Sequence, residues 1–133
     1  MPFRVLLAAA AVLWAVGSAA AGDCPDAEWT LEAREDLIRK APSCPEALAM
    51  MEACAYGASG DVVLGTVVME KCEAEFIARL GKGERRTYAL RVSRCARKYR
   101  NESGTMYRSL EAFCRAGVAL DYARKYGKAT ARK

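Results

Sequence analysis

The chain has 133 residues, of which 28% are charged, and it contains six cysteines but no histidine. This length suits one small domain. The lack of histidine removes the commonest general base and the commonest metal ligand. The sequence also lacks a C-x-x-C pair, a glycine-rich phosphate loop and a G-x-S-x-G turn. We therefore predict a non-enzymatic protein without metal or cofactor.

The first 21 residues are typical of a cleavable export signal. Arg4 precedes an uncharged apolar stretch over 5–16, and Ala19-x-Ala21 has the small residues of a cleavage site. The alternative is a membrane anchor, but the stretch of about 18 residues is at the lower limit for a span and is rich in alanine. We expect a mature domain of residues 22–133 that is periplasmic or secreted in a bacterium, with no later transmembrane span.

The six cysteines support the same compartment. In an exported chain, six thiols predict three disulfides. The cysteines are Cys24, Cys44, Cys54, Cys72, Cys95 and Cys114.

The mature chain shows helical periodicity from its start. Apolar side chains recur every fourth residue before Pro42, which predicts a first short helix with an inner stripe of Trp29, Ala33, Leu37 and Ala41. Ser43 and Glu46 match a capping box at the start of a second helix. Its inner stripe is Cys44, Leu48, Met51 and Ala55, and Gly57 marks its end.

A third helix is predicted to begin at Ser59 or Asp61. Its stripe consists of Leu64, Val68, Cys72, Phe76 and Leu80. The β-branched opening at 62–68 also suits a strand. We favour a helix because the chain offers no second strand of similar quality.

Two more helices follow the turn at 81–83. The fourth, from about 84 to 100, has an inner stripe of Tyr88, Val92, Cys95 and Tyr99. The fifth begins near Thr105 after a break at 101–104, and a basic tail after about 127 is expected to fray. The stripe of the fifth helix is Met106, Leu110, Phe113, Cys114, Gly117 and Leu120. The prediction is an all-α fold, a small disulfide-stapled bundle of four to five helices.

Helix geometry narrows the disulfide pairing. Cys44 and Cys54 would lie about 15 Å apart on one helix, well beyond the Cα separation of about 7 Å that a disulfide tolerates. Cys95 is placed to pair with Cys72 across the turn at 81–83 or with Cys114 across the break at 101–104. We slightly favour Cys72–Cys95.

Charge is divided unevenly along the chain. Residues 22–80 carry 12 acidic and 5 basic side chains, whereas residues 81–133 carry 4 acidic and 15 basic ones. Either the two halves attract each other and keep the protein soluble, or one face binds a charged partner.

The fourth helix concentrates the positive charge. Its basic residues are Arg85, Arg86, Arg91, Arg94, Arg97, Lys98 and Arg100. In an exported protein such a helix indicates an anionic envelope polymer or lipid head group rather than nucleic acid. A merely solvated face is the simpler alternative. We take Arg91, Arg94 and Lys98 as the candidate anionic-surface residues.

Several segments resemble the LprI-like lysozyme inhibitors over about residues 44–126. They are Met-Glu-Ala-Cys-Ala at 51–55, a helix opening on Asp61, Arg94-Cys95, and Gly104-Thr105-Met106 leading to Cys114. The helix from Glu84 departs from that family, since Arg86 and Tyr88 stand near its expected Gln and Trp. The resemblance implies an exported helical protein that inhibits a lysozyme by stoichiometric binding.

A cationic lysozyme would contact the acidic half, on the first three helices or the turn at 57–60. The candidate partner-binding residues are Glu46, Glu52, Asp61, Glu70 and Glu73. The alternative function is an envelope-associated protein that binds anionic glycans or lipids through the basic helix.

Overall fold

The computed structural model describes residues 23–25 and 28–128. The predicted export signal and nearly all of the predicted frayed tail lie outside these residues. The helices are α1 (Leu31–Lys40), α2 (Cys44–Cys54), α3 (Asp61–Phe76), α4 (Lys82–Tyr99) and α5 (Thr105–Tyr126), with a 3₁₀ turn at Ile77–Arg79. No strand occurs in the described part of the chain. The all-α prediction is therefore confirmed, and the strand alternative at 62–68 is wrong.

Helices α3 and α5 form the centre of the bundle and make its most extensive contact. The predicted inner stripe of α3, from Leu64 to Leu80, is buried throughout. The facing side of α5 consists largely of alanine. Gly65 brings the two backbones close together, because a Cβ built there would lie 3.0 Å from Ala112 Cβ and 3.2 Å from Ala112 O.

This close packing shifts the inner stripe of α5 from the predicted one. Met106 and Leu110 are exposed, whereas Ser109 is buried. The alanines of the buried stripe are Ala112, Ala116, Ala119 and Ala123. Periodicity favoured the larger apolar side chains, but only small ones fit where the helices approach this closely.

The stripe predicted for α1 is also shifted by one position. Trp29 is 72% exposed, while Arg34 and Ile38 are buried. Ala33 and Leu37 are only partly buried. The arginine turns inward because partners for its guanidinium lie there, which apolar periodicity does not reveal.

The start of α2 differs from the predicted capping box. Ser43 is the N-cap, but its hydroxyl bonds the Glu46 carboxylate and caps no backbone amide. Glu75 of α3 instead accepts a 2.7 Å hydrogen bond from the Cys44 N–H. Cys44, Leu48 and Met51 are buried as expected.

All six cysteines are paired, as Cys24–Cys54, Cys44–Cys72 and Cys95–Cys114. Three disulfides were expected, but the favoured Cys72–Cys95 pair is wrong. Helix α4 packs principally on α5, whereas α2 packs on α3. Cys72 therefore meets Cys44, with their Cα atoms 4.6 Å apart.

Within the described residues, no helix combines the length and apolarity needed to cross a membrane.

Candidate binding surfaces

Asp61 is a buried structural group at the start of α3. Its carboxylate accepts hydrogen bonds from the N–H groups of Tyr56 and Gly57, at 2.8 and 2.9 Å, and from the Ser109 hydroxyl at 2.6 Å. The side chain is fully buried. The prediction that Asp61 contacts a partner is therefore corrected. It ties the loop at 56–60 to α3 and α5 instead.

An arginine stacked between two aromatic rings lies beside this loop. The Arg34 Cζ is 3.9 Å from the ring centroid of Tyr56 and 4.8 Å from that of Trp29. Its Nη1 also donates to the Cys54 carbonyl. We call Trp29, Arg34 and Tyr56 the aromatic knob. Its two rings are 72% and 39% exposed, although the guanidinium that joins them is buried.

The backbone near Trp29 has an unusual conformation and is tied down by a disulfide. Trp29 has φ of 57°, in the left-handed region that non-glycine residues rarely occupy. The Cys24–Cys54 disulfide ties the segment before Trp29 to the end of α2. A strained conformation persists only where its surroundings hold it, and such positions cluster at functional sites.

The remaining four acidic candidates do not form one patch. Glu46 bonds Ser43, and Glu70 lies 3.5 Å from Arg39 of α1. Glu73 accepts a 2.7 Å hydrogen bond from the Tyr88 hydroxyl of α4. Glu52 is exposed in the last turn of α2, four residues before Tyr56. Of the five candidates, only Glu52 is both close in sequence to the knob and exposed.

A different set of acidic residues lies next to the knob. A groove beside α1 is lined by Glu28, Glu32 and Asp36, with Lys40 at one end. We call it the acidic groove. Sequence reasoning did not select these three residues, because it placed Trp29, the neighbour of Glu28, on an inner stripe. The one-turn spacing of Glu32 and Asp36 was the available signal.

The positive charge of α4 divides between two sides of the helix. Arg91 lies 3.2 Å from Asp121 and 5.5 Å from the Tyr122 ring of α5. It is a contact between helices, which weakens its predicted role on an anionic surface. Arg94 is exposed, and so is Lys98, whose Nζ is 5.1 Å from the Tyr99 ring.

The outer side of α4 forms what we call the basic face. Its cations are Arg86, Arg94, Arg97, Lys98 and Arg100, all exposed. Among the residues that the structure describes, none of the five has an ion-pair partner. The choice of Arg91, Arg94 and Lys98 followed one edge of the helix, whereas the exposed face also includes Arg86, Arg97 and Arg100.

The inner side of α4 is anchored by aromatic packing. The Tyr88 ring lies 5.1 Å from Phe76 of α3 and 4.9 Å from Tyr122 of α5. Burial raises the pKa of Tyr88 well above its ordinary value, and the hydrogen bond to Glu73 raises it further. The tyrosine is therefore a neutral donor near neutral pH.

Within the described range, no cluster of three or more acidic or cysteine side chains is arranged to hold a metal ion. Comparisons of the chain with protein families, with curated proteins and with solved structures found no match. The surfaces themselves are therefore the basis for a functional proposal.

Proposed function

We propose that this protein is an exported binding protein that inhibits a cationic lysozyme by stoichiometric binding through the aromatic knob and the acidic groove. The observation that carries the proposal is the exposed, strained Trp29 held over the buried Arg34. Lysozyme as the partner rests on the resemblance over about residues 44–126. Three disulfides are compatible with a periplasmic or extracellular location.

The knob is ordered before any partner arrives. The Arg34 contacts, the Cys24–Cys54 disulfide and the Asp61 hydrogen bonds fix both of its ends. Ordering a loop or a large side chain on binding opposes association, and a surface already fixed avoids that loss.

The composition of the surface suits a cationic protein partner. Trp and Tyr are enriched among the residues that dominate interface energies. The carboxylates of the acidic groove complement a positive enzyme, which speeds association and makes it sensitive to salt. The basic C-terminal half opposes the approach, so we expect modest affinity that depends on the knob facing the partner.

Titration of lysozyme activity with the mature protein at low salt tests this proposal. We expect inhibition that saturates at one protein per enzyme, and Trp29→Ala should weaken it by at least about 30-fold, as for an interface hot spot. Leu90→Ala is the matched control, because Leu90 is also exposed and apolar but lies on α4. No inhibition by a tenfold molar excess, across several lysozyme classes, would refute the function.

The acidic groove has its own test. Glu32→Gln combined with Asp36→Asn should slow association and reduce its salt dependence more than it changes dissociation. Glu102→Gln, an exposed acid in the turn before α5, should leave both rates unchanged. Equal effects of the two variants would show that total charge, rather than the groove, controls association.

A second candidate function is binding to an anionic envelope surface through the basic face. The observation that favours it is the row of five exposed cations without ion-pair partners in the described residues. Cations on one helix face attract anionic polymers and lipid head groups by about 1 kcal/mol each near the surface.

Sedimentation separates this candidate from the first. The mature protein should co-sediment with phosphatidylglycerol vesicles or purified cell wall at low salt, but not with phosphatidylcholine vesicles. The variant Arg94→Gln, Arg97→Gln, Arg100→Gln should lose this binding and retain lysozyme inhibition. Trp29→Ala should do the opposite. If the arginine variant sediments like the unaltered protein, the basic face is only a solvated surface.

A further inference from the structure

A groove runs between α3 and α4, away from the aromatic knob and on the inner edge of the basic helix. Its walls include Met69 of α3 with Val92 and Ala96 of α4, and Arg115 of α5 lies in it. The groove has a volume of about 440 Å³ and its surface is mostly apolar, a size typical of small-molecule sites. It forms because α3 and α4 both pack on α5 and leave space between them.

A smaller pocket between α3 and α5 adjoins this groove. The two share Met69 and Arg115, so the arginine stands where they meet. The smaller pocket is also lined by Arg108 and Glu111. Together they give an elongated, mostly apolar surface, with Arg115 where the two pockets meet and the Arg108–Glu111 pair in the smaller one.

The other polar groups along this surface have partners. Tyr88 donates to Glu73 at 2.7 Å, and Arg108 bonds Glu111 at 3.0 Å. Arg115 is partly buried and has no hydrogen bond or ion pair with any residue of the described chain. Its guanidinium therefore has donors available for an anion with two acceptor oxygens.

We propose that this groove binds a single-chain alkyl carboxylate, with the carboxylate on Arg115 and the chain along Met69, Val92 and Ala96. The guanidinium fork matches the two carboxylate oxygens. A ligand that has charge but no alkyl chain would leave the apolar walls in contact with water. We therefore expect it to bind more weakly. This site is independent of the proposed lysozyme inhibition, because no residue of the knob or of the acidic groove lines it.

Calorimetric titration of the mature protein with sodium decanoate below its micelle concentration tests the site. We expect saturable binding of one decanoate, with at least tenfold weaker binding of butyrate and of decyltrimethylammonium. Butyrate has the charge without the chain, and the ammonium has the chain with the opposite charge. Equal binding of either probe would overturn the proposal.

Two variants locate the ligand. Arg115→Gln should weaken decanoate binding at least tenfold, whereas Arg124→Gln, an exposed α5 arginine outside the groove, should not change it. Ala96→Phe fills the groove from an exposed position and should also abolish binding, so the test holds even if Arg115→Gln fails to fold. Unchanged binding in the folded Ala96→Phe variant would show that decanoate sits elsewhere.

Discussion

The aromatic knob, with the acidic groove beside it, and the basic face are built in opposite ways. The knob depends on buried polar groups, since Arg34 and Asp61 lie in the interior and hold exposed rings and loop backbone in place. The basic face depends on the apolar inner side of α4, through Tyr88 and the Cys95–Cys114 disulfide. The charged groups of the basic face make few contacts within the protein.

This difference separates structural charge from charge that is free to bind. In the acidic half, several carboxylates are used within the fold, as Asp61, Glu73 and Glu75 show. In the basic half, the outer cations of α4 remain exposed. Net charge per half therefore overstates the acidic surface and describes the basic one well.

The largest expected effect on stability is at Asp61, whose carboxylate holds the loop beside the aromatic knob. Asp61→Ala removes the acceptor of two backbone N–H groups and one hydroxyl in the interior. Because each buried donor left unpaired costs roughly 1–3 kcal/mol, we expect a loss of about 3–5 kcal/mol of unfolding free energy. Urea unfolding followed by circular dichroism measures it.

Ser109→Ala is the matched control for Asp61→Ala. It removes only the 2.6 Å hydroxyl contact and should cost about 1 kcal/mol. If the two variants lose the same stability, the hydrogen bonds to Tyr56 and Gly57 do not hold the loop.

The helical fold could be predicted from sequence because period and turn residues act locally. The α3 stripe, in which large apolar residues face the core throughout, is the clearest case. The inward turn of Arg34 could not be predicted, since its partners Cys54 and Tyr56 are about 20 residues away in sequence. The same limit applies to Cys72, whose pairing depends on which helix neighbours α3.

The site was predictable only in part. The charge pattern of the sequence indicated a basic helix, and most of these basic residues lie on the exposed face of α4. The acidic candidates were less well placed, because charge alone does not distinguish the fully buried Asp61 from the exposed Glu52. Trp29 was assigned to the core from its hydrophobicity, although its backbone conformation and exposure place it at the surface.

Helices α3 and α5 support both the aromatic knob and the basic face. Substitutions of two glycines test how closely these helices pack. Gly65→Ala should lose about 1–3 kcal/mol of unfolding free energy, because its Cβ would press against the Ala112 backbone oxygen as well as its Cβ. Gly117→Ala, also within a helix but with open space around the new methyl group, should gain about 0.5–1 kcal/mol. Urea unfolding of both variants gives the sign directly, and a neutral Gly65→Ala would contradict the close approach.

Tyr88 provides a smaller, pH-dependent test of the inner side of α4. Its pKa is raised in the folded protein by burial and by Glu73, whereas the unfolded chain ionises near 10.0. The stability from this tyrosine is therefore fully present below pH 10 and falls as the pH rises above it. We expect a loss of about 1 kcal/mol by pH 11. Tyr88→Phe should lack this part of the pH dependence, and an identical profile would show that Tyr88 ionises freely in the fold.

The smallest expected effect on stability is at the basic face, and its sign is informative. Arg97 lies three residues from both Arg94 and Arg100, a spacing at which like charges repel on a helix. Changing all three to Gln should leave the midpoint of thermal unfolding unchanged or slightly raised at low salt, and the two proteins should converge at high salt as the repulsion is screened. Arg91→Gln is the control, since it removes the contacts to Asp121 and Tyr122 and should lower the midpoint. If the triple variant instead unfolds early, these arginines are structural. If it does not, the fold maintains a repulsive row of cations that contributes nothing to its stability, and co-sedimentation with anionic vesicles then distinguishes a binding surface from a solvated one.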